Sequence, residues 1–149
     1  MVKHKKPETN IKAIYKYKRT TSLERPLLGA KVPAGFPSPA QDYIEGTLDL
    51  NELLITHPNA TFFVKVEGYS MTGAGIQPDD ILIVDRSLEA RNNKIVIAIV
   101  DGELTVKRLK IIDAIYWLVP ENPSFESIRI DENIDFIIWG VVTYVIHKV

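Results

Sequence analysis

From Thr61 to the C-terminus the sequence is a succession of short apolar segments at close spacing. Thr61–Glu67 alternates, and Asp80–Asp85 and Lys94–Val100 read as short buried strands. Asp101-Gly102 is a two-residue hairpin signal, because both residues tolerate the positive φ such a turn needs. Glu103–Lys110, Ile115–Val119, Ser127–Ile130 and Asp135–Ile146 complete the series. Strands this short bury their apolar face only by pairing with many neighbours, so the pattern predicts a mainly β, compact, twisted and partly closed fold. No internal repeat is visible.

Upstream of Thr61 the signals change. Asp49-Leu50-Asn51-Glu52 has the form of a capping box and predicts a short helix with Leu50, Leu53 and Leu54 facing inward, stopped by His57-Pro58-Asn59. In the first 25 residues, Ile11, Ile14, Tyr15 and Lys18 suit one short amphipathic helix that Thr20-Thr21-Ser22 ends. Four of the nine prolines fall within residues 26–39. Proline fixes φ and biases the residue before it to extended backbone, so this stretch is expected to be an accessible, extended arm.

Composition narrows the chemistry. At 149 residues, 46% of them hydrophobic, the chain can bury a core of one ordinary domain. It has no cysteine, which removes disulfides, thiol nucleophiles and thiolate metal sites. His4, His57 and His147 are far apart without ligand spacing, so neither a metal nor another cofactor is expected. The longest apolar runs, Ile95–Val100 and Phe136–Val142, hold six and seven residues, against the roughly 20 of a membrane helix. No apolar segment of the signal-peptide kind follows Lys3, Lys5 and Lys6, and a cytoplasmic protein is expected. The net charge of −1 conceals an asymmetry: residues 1–34 carry nine Lys/Arg against two acids, and residues 35–149 carry nine against seventeen. A basic tail of this kind can lie on its own acidic body or on a nucleoprotein, an attraction that weakens with salt.

Two polar side chains stand out against the apolar strands. Ser70 ends the run Phe63-Val64-Lys65-Val66-Glu67-Gly68-Tyr69-Ser70-Met71, where a strand breaks into a Gly-containing turn. That setting is expected to expose the hydroxyl beside backbone N–H groups able to stabilise an oxyanion. Lys107 shares one strand face with Thr105 and Leu109 and has apolar neighbours. A neutral lysine can take a serine's proton, but at its ordinary pKa of about 10.4 only about one in 2,500 is neutral at pH 7. Burial lowering the pKa by about 3 units would make a sizeable fraction neutral. On these residues alone the ordinary explanations stay open: a turn serine and a solvent-facing strand lysine. Ala34-Gly35, in Val32-Pro33-Ala34-Gly35-Phe36-Pro37, is a small dipeptide in an extended frame that could present its carbonyl to a nucleophile, or simply be a linker.

Taken in order, Ala34-Gly35-Phe36-Pro37-Ser38-Pro39-Ala40, Asp49-Leu50-Asn51-Glu52-Leu53-Leu54-Ile55, Phe63 to Met71, Gly75-Ile76, Asp80-Ile81-Leu82-Ile83-Val84-Asp85 and Val100 to Leu109 resemble the UmuD proteins, within the LexA-type self-cleaving Ser-Lys peptidases (S24-like). The resemblance covers roughly residues 34–145. It implies a β-fold of the LexA/signal-peptidase type with a short N-terminal helix and a flexible arm, divided into a cleavable arm, 1–34, and a peptidase-like domain, 35–149. It also implies Ser70 as nucleophile, Lys107 as general base and Ala34-Gly35 as the scissile bond. The implied setting is the SOS response: self-cleavage promoted by a RecA–single-stranded DNA filament, homodimers, and a product that serves a UmuC-type error-prone DNA polymerase in translesion synthesis.

The chain departs from that pattern at Tyr69, where a small or acidic residue is common, and at Asp79, where glycine is common. Its arm is also about ten residues longer and more basic than the resemblance leads one to expect. Only 34 residues precede the candidate cleavage point between Ala34 and Gly35, too few for a helix-turn-helix domain with a linker, so sequence-specific DNA reading is not expected. Signal peptidases also pair Ser with Lys but need a membrane attachment. The alternative from another class is a module that docks on a polymerase without cleaving, with Ser70 and Lys107 as relics.

Overall fold

A computed structural model describes residues 10–18, 22, 24–28 and 44–149. They fall into two compact units, one built from the N-terminal segment up to Tyr17 together with residues 59–149, the other from residues 18–58. The boundary expected at residues 34 and 35 lies outside the described residues.

The larger unit is an antiparallel sheet of eight strands. In chain order they are β1 (Asn10–Lys16), β4 (Thr61–Glu67), β5 (Ile81–Asp85), β6 (Ile95–Val100), β7 (Glu103–Ile112), β8 (Ile115–Val119), β9 (Ile128–Arg129) and β10 (Phe136–Ile146). Their order across the sheet is β1-β4-β5-β10-β6-β7-β8-β9. The pair Asn10↔Thr105 joins β1 to β7 and curls six strands into a ring, leaving β8 and β9 as an extension. This is the mainly β, partly closed fold that the strand pattern predicts. Among the described residues no helix is long and apolar enough to cross a membrane.

Two hairpins show why consecutive strands pair. Asp101 and Gly102 have φ of 48° and 83°, the double left-handed geometry expected between β6 and β7. Asp113 and Ala114, at φ 50° and 63°, make the same kind of turn between β7 and β8. The core divides across the sheet. Val64, Val66, Met71, Ile76, Leu82, Val84, Ile97 and Val106 form one buried cluster, and Val96, Ala98, Leu109, Leu118 and Val141 the other. β6 serves both, which explains its unbroken apolar run.

The helix expected around Ile11–Lys18 is instead strand β1. Ile11 packs against the first core cluster, whereas Lys12, Ile14, Tyr15 and Lys16 are exposed. The edge of β4 supplies β1 with backbone partners from Asn10↔Glu67 to Lys16↔Phe62, and such tertiary pairing overrides a weak local helix preference. The register shifts between Ile11 and Ala13. At that bulge Lys12 Nζ meets Asp79 Oδ1 at 3.1 Å. Beside it, buried Asp80 accepts a 2.6 Å hydrogen bond from His147 Nδ1 and a 2.8 Å bond from the Gln77 amide.

In the smaller unit, β2 (Glu24–Leu28) pairs with β3 (Ile44–Asp49), with Pro26 in the extended edge position that proline tolerates. Asp49 caps α1 (Leu50–Leu54) as expected, accepting from the Asn51 amide at 2.9 Å. Of the leucines expected to face inward, Leu50 is 59% and Leu53 48% exposed and Leu54 is half-buried, while Ile55 is buried. The helix is a single turn closed at Ile55, ahead of His57-Pro58, so it has no continuous face to bury.

Candidate active site

Lys107 lies mid-β7, directly opposite Val96 on β6. Residues two apart on a strand share a face, so Lys107 emerges between Thr105 and Leu109, on the side of the cluster containing Val96, Ala98, Leu109 and Leu118. No part of its side chain is exposed. Nζ donates to Thr105 Oγ1 at 3.0 Å and to Ser70 Oγ at 3.3 Å. Burial penalises the ammonium relative to the neutral amine, the direction a base requires.

Ser70 follows β4, past Gly68 at φ 87°. It is fully buried, which corrects the expected exposed hydroxyl. The reason is local. Met71, next in the chain, is wholly within the core, and the segment after β8 bonds back onto the turn. The Glu121 amide donates to Ser70 O at 2.8 Å, and the Gly73 amide donates to Glu121 O at 2.7 Å. Asn122 Nδ2 donates to Tyr69 O at 2.9 Å. A Cβ on Gly73 would lie 2.5 Å from Glu121 O, so this approach requires glycine. Arg108, on the other face of β7 from Lys107, pairs with Glu121 and donates to Asn93 O at 2.6 Å.

The structure therefore brings Ser70 and Lys107 together. Ala34 and Gly35 lie outside the described residues. Sequence reasoning did not single out Glu121 and Asn122 or the partner role of Thr105. Thr105 was visible as a residue on the Lys107 face; Pro120-Glu121-Asn122-Pro123 offered only the look of a turn.

The sequence matches the family model described as Peptidase S24-like over residues 26–143. It is 48% identical over 128 residues to Protein ImpA of Salmonella typhimurium, covering 85% of this chain and 86% of that protein. Protein MucA of Escherichia coli is 45% identical over 115 residues, 76% of this chain and 78% of the relative. The LexA repressor of Ectopseudomonas mendocina is 40% identical over 124 residues, 83% of this chain and 60% of the repressor. With a buried serine and lysine in contact and a match across most of its length, the chain belongs to the Peptidase S24-like family of serine peptidases.

Proposed function

We propose that this protein is a self-cleaving SOS-mutagenesis peptidase whose substrate is its own Ala34-Gly35 bond. The observation that carries the reading is the buried contact of 3.3 Å between Lys107 Nζ and Ser70 Oγ in a member of a peptidase family. Neutral Lys107 takes the Ser70 proton as Oγ attacks the Ala34 carbonyl carbon. The C–N bond to Gly35 breaks, and the amine leaves with the proton held on Lys107. Water, deprotonated by the regenerated Lys107 amine, then hydrolyses the Ala34 ester, and the proton returns to Ser70 Oγ as it leaves. Thr105 orients the amine, and the Pro120–Asn122 segment holds the serine turn.

In this reading a RecA–single-stranded DNA filament promotes the cut, and the cleaved homodimer serves a UmuC-type error-prone polymerase. The likeness to ImpA and MucA over most of their length supports that setting. The charge asymmetry supports a change of partner: the cut separates an arm of nine Lys/Arg and two acids from a body of nine Lys/Arg and seventeen acids.

The test is mass spectrometry of the purified protein incubated with and without the filament. Two fragments meeting at Ala34 and Gly35, formed faster with the filament and absent from Ser70→Ala and Lys107→Ala, are expected. A folded protein that stays uncut under both conditions would identify a docking module instead.

A further inference from the structure

β1 lies upstream of the residues that the family model matches, yet it completes the ring of the larger unit. Its hold on that ring is peripheral. It runs along one edge of β4, from Asn10↔Glu67 to Lys16↔Phe62, and shares with β7 the single strand pair Asn10↔Thr105. Lys12, Ile14, Tyr15 and Lys16 face solvent. What fixes its register is specific: Ile11 on the core, the bulge at Lys12, the Lys12–Asp79 ion pair, and Tyr17, whose amide donates to Thr61 O at 3.2 Å and whose ring meets Phe63 edge-on. Without β1, β4 would present a row of backbone donors and acceptors, an acidic side chain at one end and an aromatic ring at the other. An edge so furnished accepts an added strand, with backbone bonds supplying affinity and the side chains supplying selectivity.

We propose that the edge of β4 is a strand-acceptor site, that β1 is its resident occupant, and that its exchange partner is an extended segment of another protein. That segment carries an apolar residue in the place of Ile11, a basic residue opposite Asp79 and an aromatic residue against Phe63. β1 lies N-terminal to Ala34-Gly35, so the cut joins it to the body by non-covalent contacts alone, and strand exchange follows. The release step rests on the cleavage proposed above; the site does not.

The experiment separates the two. A site-specific protease sequence is inserted between Arg19 and Thr20 of the full-length Ser70→Ala chain, the protein is cut, and the fragment ending near residue 19 is removed by gel filtration. A fluorescein-labelled peptide of residues 8–18 is then titrated by anisotropy. Saturable binding is expected only after the cut, weakened about threefold or more by Lys12→Glu in the peptide or Asp79→Asn in the body, which loses a surface ion pair. Hydrogen exchange of residues 62–67 should slow again as the peptide binds. If the fragment persists through gel filtration, excess unlabelled peptide must displace it. If the cut protein unfolds, the peptide must restore its circular dichroism. Equal binding of a scrambled peptide, or no saturable binding up to about 1 mM, overturns the proposal.

Discussion

Lys107 Nζ lies 3.3 Å from Ser70 Oγ across 37 residues of chain, with both residues fully buried. The contact depends on two independent supports, the centre of β7 for the lysine and the turn after β4 for the serine. Each can be disturbed separately.

The lysine must be neutral to accept a proton, so raising the pH removes the proton that blocks it. Self-cleavage at Ala34-Gly35 is expected to accelerate between pH 7 and 10, by about tenfold per pH unit until the amine is mostly neutral. Lys107→Arg, charged at every pH in that range, should remain intact. Fragment yield on gels across the pH series measures both.

Thr105→Val keeps the shape of the side chain but removes the oxygen that Nζ reaches at 3.0 Å. Loss of one such bond corresponds to about 0.5–1.5 kcal/mol, so cleavage should slow by about 2- to 10-fold. The midpoint of the pH–rate profile should also move, a change that a purely structural defect would not cause.

Gly73→Ala sets a methyl carbon 2.5 Å from Glu121 O and forces the turn and the Pro120–Asn122 segment apart. A loss of about 1–3 kcal/mol in urea unfolding is expected, with slower cleavage because the Ser70 carbonyl loses its fixed partner. Asn122→Ala, which removes the bonds from Nδ2 to Tyr69 O and Thr72 Oγ1 and the one Oδ1 accepts from the Ser124 amide, should lose about 1–3 kcal/mol.

The Lys12 ammonium, bonded to Asp79, holds that carboxyl below its ordinary value of 3.8. A depressed carboxylate contributes stability above the unfolded value and loses it as pH falls through the folded one, so this contact weakens as pH falls below the ordinary carboxylate value. In Lys12→Ala the Asp79 carboxyl resonance should titrate at higher pH. An unmoved titration in carbon-13 NMR would remove the ion pair.

Ala114 carries φ of 63°, a left-handed conformation that costs a residue with a Cβ about 1 kcal/mol relative to glycine. Ala114→Gly should therefore raise stability by about 0.5–1 kcal/mol in urea unfolding, without changing the rate of cleavage.

Most of the sheet was legible because its strands carry their own boundaries. Thr61–Glu67 and Ile115–Val119 coincide with β4 and β8, and Asp101-Gly102 makes the turn its residues favour. The Ser70–Lys107 contact was legible only as a pair of unusual residues, since a distance between strands is not written in either segment. β1 was read as a helix because its pairing partner stands some fifty residues away, at Lys65 and Val66. The bonds from Glu121 and Asn122 escaped for a related reason: they join a turn to a turn, where no periodicity marks the encounter.

Asp79 and Asp80 make separate contacts, one to Lys12 and one to His147. Because they are consecutive, the first strand of the larger unit and the tail beyond β10 are fastened at one point of the backbone. The first strand of this unit and its last residues thus lie side by side, like a necklace meeting at its clasp. Linking residue 10 to residue 148 by a short flexible bridge, and opening the chain at the exposed Asp131–Asn133 turn, should give a circular permutant with the same sheet.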